Sequence, residues 1–190
     1  MAQASDYPVQ LSIDYPESSN RLTAFFRLIL MIPIVIVATA ITYAQGMLTL
    51  PVILIILFRQ KYPRWWFDFN LEVLRFSARI NAYAGLMQDA YPSTDEDQSV
   101  HLDVEYPENL NRFMPLIKWL LAIPHYIVLV VLGIVSLVVT VIAWFAILFT
   151  GRFPRALFDF NLGVSRWGAR VDAYAFILAT DRYPPFRLSS

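Results

Sequence analysis

LILMIPIVIVATAITYAQGMLTLPVILIILF, residues 28–58, holds 31 consecutive positions without one charged side chain. A second run, WLLAIPHYIVLVVLGIVSLVVTVIAWFAILFTG, covers 33 positions at 119–151. All 15 basic and all 15 acidic residues lie outside these two runs. A charge at the centre of a bilayer costs roughly 2.5–3.5 kcal/mol or more, so two long charge-free runs are the expected mark of membrane insertion. The composition agrees. Hydrophobic residues make up 57% of the 190 positions and mean hydropathy is +0.50, more than a soluble domain of this size carries. Equal basic and acidic counts argue against a nucleic-acid partner. The chain has no Cys, which excludes disulfides, thiolate catalysis and thiolate metal sites. The opening MAQASDYPVQ lacks a basic region followed by an apolar core, so no cleavable leader is expected there.

The two runs belong to two copies of one unit. Shifted by 91 positions, residues 14–84 overlay 105–175 without a gap, with 28 identities in 71 positions. The copies occupy 1–92 and 100–190, joined by the acidic segment 93–99. Each opens on a stretch of period two, Val9-Gln10-Leu11-Ser12-Ile13 or Val100-His101-Leu102-Asp103-Val104, which predicts strands at 8–14 and 100–105. Each strand stops at Tyr-Pro-Glu, and a lone strand is unstable, so the two are expected to pair.

One straight helix over 31 residues would be about 46 Å long against a hydrocarbon core of about 30 Å, while two crossings take roughly 40 residues. Residues 20–58 and 111–150 are therefore expected to form tight hairpins, breaking at Gln45-Gly46 and near Gly133 to Ser136. Arg21 and Arg27 precede the first run and Arg59, Lys61 and Arg64 follow it. Arg112 and Lys118 precede the second, and Arg152 and Arg155 follow. Basic flanks with neutral tips predict four membrane helices with both termini and the joint in the cytoplasm, re-entrant hairpins being the alternative.

After each run comes FDFNLEVLRFSARINAYA (67–84) or FDFNLGVSRWGARVDAYA (158–175). On a helix, Asp68, Glu72, Arg75 and Arg79 share one face and Val73, Phe76, Ile80 and Tyr83 the other. The second copy keeps Asp159, Arg166 and Arg170 and has Gly163 in place of Glu72. This predicts amphipathic helices at 66–88 and 157–179 lying on the membrane surface. Their repeated charged and amide residues, with Arg64 and Arg155 in the preceding turns, are the candidate lipid- or partner-binding set: Arg64, Asp68, Asn70, Arg75, Arg79, Arg155, Asp159, Asn161, Arg166 and Arg170. The Arg pairs read either as interfacial or inter-copy bridges or as contacts to lipid phosphate or a partner. Asp68 and Asp159 read as helix-start charges, and Asn70 and Asn161 as partners of local backbone. Neither His101 nor His125 is repeated in the other copy; His125 opposes Ile34 and is read as a structural hydrogen-bonder. No spacing suggests zinc, a nucleotide loop or a nucleophile elbow, so no catalytic residue, metal or cofactor is assigned.

Several motifs of the second copy carry a resemblance: Ala-Ile-Pro-His at 122–125, Trp-Phe-Ala-Ile-Leu-Phe-Thr-Gly-Arg at 144–152, Phe-Asp-Phe at 158–160, Arg-Trp-Gly-Ala-Arg at 166–170 and Tyr-Pro-Pro-Phe at 183–186. That half resembles bacterial membrane proteins of the domain-of-unknown-function 4389 family, and the first half resembles them more loosely. The resemblance implies a membrane location and supplies no catalytic residues. The resulting expectation is a mainly α integral membrane protein, a tandem repeat with a small β element on the cytoplasmic side of the bacterial inner membrane. Its expected role is non-enzymatic, as a scaffold or accessory subunit in contact with lipids and with a protein partner or a second copy. Lipid handling and a small-solute channel or transporter are the alternatives.

Overall fold

In the computed structural model, which describes residues 7–189, the first apolar run forms one helix rather than a hairpin. Helix α1 runs Arg21–Arg59 without interruption. Asn20 caps its start, its side-chain oxygen accepting from the Leu22 and Thr23 amides. The expected break at Gln45-Gly46 fails for a physical reason. Glycine inside a helix costs only about 1 kcal/mol, and in an otherwise apolar run no polar turn competes for the backbone. Pro33 and Pro51 are likewise accommodated inside α1. The helix stops at Gln60, whose φ of 52° is left-handed. The expected hairpin at 111–150 is also absent. Helix α3 (Met114–Leu121) leads through Ala122 into α4 (Ile123–Thr150), the joint falling where Pro124 leaves the Leu120 carbonyl without a helical donor. Helix α4 ends at Gly151, the position matching Gln60, with φ 72°. A Cβ at Gly151 would stand 3.4 Å from the Arg21 guanidinium, so this left-handed stop is also a close approach.

The hairpin turn comes one element later than expected. Helix α2 (Arg64–Ala84) folds back along α1, and α5 (Arg155–Ala175) folds back along α4. In the first copy Gln45 Nε2 donates to Asn70 Oδ1 at 3.0 Å, Ile34 packs with Phe76 and Ile80, and Arg27 reaches the Gln88 carbonyl at 3.0 Å. The second copy repeats this with Ser136 on Asn161 at 2.8 Å, His125 on Trp167 at 3.0 Å and Lys118 on the Thr180 carbonyl at 2.8 Å. The amphipathic helices are thus largely buried and end at Ala84 and Ala175, instead of lying alone on a surface over 66–88 and 157–179.

Strands β1 (Val9–Ile13) and β2 (Val100–Val104) pair antiparallel, with Leu11 opposite Leu102. Val9, Leu11, Ile13, Val100 and Leu102 are buried and Gln10, Ser12, His101 and Asp103 are exposed, as the period of two requires. The strands are exchanged: β1 packs on α5 of the other copy and β2 on α2. The central partners Leu11 and Leu102 are equivalent positions, 91 residues apart, and both strands turn their apolar side chains to the same buried side. A dyad perpendicular to the sheet therefore relates the copies. The layers along that dyad are the sheet, then α2 and α5, then α1 and α4. Helices α1 and α4 run antiparallel, the Ser19 amide donating to the Gly151 carbonyl and the Trp144 indole to the Ala24 carbonyl at 3.0 Å.

The 91-residue shift ends at Ala84 and Ala175. Beyond it the copies match at 92, Leu86 with Leu178, both left-handed at φ 62° and 61°. The extra residue in the second copy is absorbed where the Ile177 amide reaches back five residues to the Asp172 carbonyl. The reading of the N-terminus as lacking a leader rests on residues of which 1–6 lie outside the described part.

Candidate functional site

Each half inserts the end of its strand into the other half's hairpin turn. The Tyr15 hydroxyl donates to the Phe153 carbonyl, and the Tyr106 hydroxyl donates to the Tyr62 carbonyl. Tyr15 also meets Phe158 edge-on with centroids 5.0 Å apart, and Tyr106 meets Phe67 at 5.1 Å. Arg155 lies over the Tyr15 ring at 4.5 Å, and Arg64 over Tyr106 at 4.6 Å. The same two guanidinium groups pair with Asp159 and Asp68 one turn on, at 3.2 and 3.4 Å. These i,i+4 pairs are more than half exposed and contribute little by themselves. The tyrosine contacts fix the arginines.

Arg75 and Arg166 close the interlock. Arg75 Nε donates to the Leu102 carbonyl at 2.9 Å, and Arg166 Nε to the Leu11 carbonyl at 2.8 Å. Both acceptors belong to the strand of the other copy. Arg75 also pairs with Glu72 at 2.7 Å and Asp103 at 3.3 Å. Arg79 and Arg170 are buried and hold the closing segments, Arg79 through the Ser93 carbonyl at 2.7 Å and Arg170 through the carbonyls of Arg187 and Ser189. Gly163 explains the loss of the acid at the position of Glu72. A Cβ there would stand 2.8 Å from Leu188 Cβ, so the closing segment of the second copy occupies the space.

Asn70 and Asn161 are buried and tie the hairpins together. Asn70 donates to the Trp66 carbonyl, as a local partner, and also to the Tyr62 hydroxyl at 2.9 Å while accepting from Gln45. Asn161 accepts from Ser136 and donates to Thr140 at 3.1 Å. Gln45, Ser136 and Thr140 of the apolar runs thus find their partner in the amide on the returning helix, while Thr39 and Thr49 donate to carbonyls of their own helix.

Two further ion pairs went unread in the sequence. Lys118, its side chain fully buried, meets Asp181 at 2.8 Å, and Arg27, 4% exposed, meets Asp89 at 2.9 Å. Asp89 and Asp181 also accept from the Asn20 and Asn111 amides at 2.7 and 2.6 Å. The signal was present, but at a shift of 92 rather than 91. Among the described residues no three His, Asp or Glu side chains gather where they could hold a metal ion.

A crevice of about 520 Å³ opens between α2, α4 and α5. Ser77, Asn81, Asn161 and Ser165 contribute polar groups, Leu129 and Leu137 apolar ones. Asp172 is the one carboxylate among its lining residues and stands where the first copy has Asn81. Asp172 is exposed there, and the protein packed around its carboxyl raises it above the ordinary carboxylate range.

Replacing both inter-copy arginines tests what they do. Arg75→Met and Arg166→Met are each expected to lower stability by roughly 1–2 kcal/mol, through loss of a charged hydrogen bond to a strand carbonyl. The double variant should expose the β1 and β2 amides to hydrogen exchange while the helical amides stay protected. Unchanged strand protection would show that the sheet holds without them.

Fold and site together define an internally duplicated, mostly helical protein with two helices long and apolar enough to cross a membrane. The chain belongs to the DUF4389 family, a domain of unknown function, whose model matches it twice, over residues 21–94 and 114–187. Both strands lie outside the matched stretches, so the element exchanged between copies is not part of the matched domain. No curated protein and no solved structure matches the chain.

Proposed function

We propose that this chain is a non-enzymatic protein of the bacterial inner membrane, a scaffold or accessory subunit that holds a protein partner or a second copy at the membrane surface. The observation carrying the reading is a segregation of surfaces. Ile29, Ile36, Tyr43 and Leu50, spaced by seven on α1, are 62–69% exposed. Their counterparts 91 residues on, Leu120, Ile127, Ile134 and Val141 of α3 and α4, are 48–63% exposed. A contiguous apolar face of this size is what a membrane or an interface covers. The charged side chains sit at the ends of these helices and on the other layers, away from the face, and the arginines among them are largely engaged within the chain. Purification in mild detergent with cross-linking should give a stoichiometric complex or a homo-oligomer. A monomer that cross-links to nothing overturns the reading.

Lipid handling is the second reading, favoured by the crevice beside α4, whose mouth includes the exposed Leu137. Filling it with Gly168→Leu, where a Cβ meets nothing within 4 Å, should deplete co-purified lipid if the crevice holds one. Unchanged lipid content by mass spectrometry would exclude that role.

A further inference from the structure

We infer that α1 and α4 lie in the plane of one bilayer leaflet, their outer faces in the acyl chains and the sheet side in water, so that the chain rests on the membrane from one side. The inference deepens the membrane reading above and depends on it.

Three observations carry it, each against an upright arrangement. The first is the path of the chain. Asp89 sits at the start of α1, bonded to Asn20 and Arg27. Tyr106 sits at its end, bonded to Tyr62. Between them the acidic joint and β2 travel the length of a 39-residue helix, about 58 Å at ~1.5 Å per residue. Were α1 perpendicular to the bilayer, a two-stranded sheet with open edges would stand at hydrocarbon depth, where unpaired backbone groups have no water to meet. Asp14 and Asp103, 71% and 84% exposed on the sheet, would stand there too.

The second is the returning helix. Glu72 lies beside Ala40, Ile41 and Ala44, the middle of the apolar run, with its side chain 55% exposed. In an upright helix that carboxylate would face the bilayer centre, at a cost of roughly 2.5–3.5 kcal/mol or more. With α1 in the plane, Glu72 lies a layer above the hydrocarbon.

The third is the distribution of basic residues. Arg21 and Arg27 stand at one end of α1 and Arg59, Lys61 and Arg64 at the other; Arg112 precedes α3, and Arg152 and Arg155 follow α4. A single crossing would put one basic end on the translocated side, against the preference for basic residues on the cytoplasmic side. A helix in the plane keeps both ends on one side, where anionic head groups attract each cation by about 1 kcal/mol. The dyad completes the geometry. It runs perpendicular to the sheet, so it can serve as the membrane normal, and it turns the outer faces of α1 and α4 to the same leaflet.

The absence of cysteine permits a direct test on the full chain. Single cysteines at Ile29, Ile36, Tyr43 and Leu50 carry an environment-sensitive fluorophore, in vesicles of phosphatidylethanolamine and phosphatidylglycerol brominated at one acyl depth. These positions span about 32 Å along the helix at ~1.5 Å per residue. Helices in the plane give equal quenching at all four. A quenching peak at Ile36 and Tyr43 with weak quenching at the outer two overturns the inference. In parallel, Ser18→Cys and Lys61→Cys should both be protected from an impermeant maleimide in right-side-out vesicles from an expressing bacterium, and both react in inverted ones. Reaction of one but not the other from outside overturns it as well. If no position is quenched and alkaline carbonate strips the protein from membranes, the membrane reading itself has failed.

Discussion

Asp181→Asn is expected to destabilise the second copy by about 3–5 kcal/mol, the cost of breaking a buried ion pair from one side. Lys118 has no exposed side-chain surface, and its ammonium meets the Asp181 carboxylate at 2.8 Å and the Thr180 carbonyl at 2.8 Å. Burial already pushes Lys118 below the ordinary lysine range, and Asp181 opposes that shift. Without the carboxylate the shift deepens. The folded variant then holds fewer protons than the unfolded chain over a wide interval below the ordinary lysine value. Stability therefore rises with pH across that interval and falls as the ammonium is forced to form. Thermal unfolding in detergent should show the variant recovering as pH is raised from neutral toward 9, more steeply than the unsubstituted protein. Asp89→Asn is the control in the first copy. Arg27 holds Asp89 and the Gln88 carbonyl and lies over Tyr83 at 3.9 Å, but a guanidinium does not give up its proton. That variant should lose stability with no recovery at higher pH. Equal pH slopes in the two variants would overturn the account.

What the sequence disclosed follows from which signals are local. The alternation at Val9–Ile13 and Val100–Val104 is local, and both strands and their pairing stand where it placed them. The duplication and the family resemblance rest on residue identity, and both are met in the two matched stretches. Run length set against bilayer thickness points to a turn inside each apolar run, whereas the run's actual partner is the helix that follows it. The better partner for Gln45 was Asn70, 25 residues further on, and a single residue carries no trace of such a pairing. The candidate arginines were legible as a repeated set. The acceptors of Arg75 and Arg166 are the main-chain carbonyls of Leu102 and Leu11, which any residue supplies, so no pattern of side chains could point to them. Asp89 and Asp181 were hidden by one inserted residue, which moves every later match out of register while leaving the bonds themselves unchanged.

The pair His125 and Trp167 holds the sharpest test of how far the copies are interchangeable. The matching pair in the first copy is Ile34 and Phe76, packed with Ile80 in an apolar cluster. In the second copy the Trp167 indole donates to His125 Nδ1 at 3.0 Å, which leaves the imidazole proton on Nε2. Phe186 stacks on the ring with centroids 4.0 Å apart, from a closing Tyr-Pro-Pro-Phe that the first copy replaces with Tyr91-Pro92-Ser93-Thr94. His125→Ile alone leaves a buried indole N–H without an acceptor, at a cost of about 1–3 kcal/mol. Trp167→Phe alone removes the donor and opens a small space beside a fully buried imidazole, at a cost of roughly 2–4 kcal/mol. The double variant restores the apolar pair of the first copy, leaving only the smaller volume under Phe186. It should be more stable than the two single effects predict when added, by a coupling of about 1–2 kcal/mol in a double-mutant cycle. Additive losses would show that the surrounding aromatic segment, rather than the hydrogen bond, specifies histidine at this position.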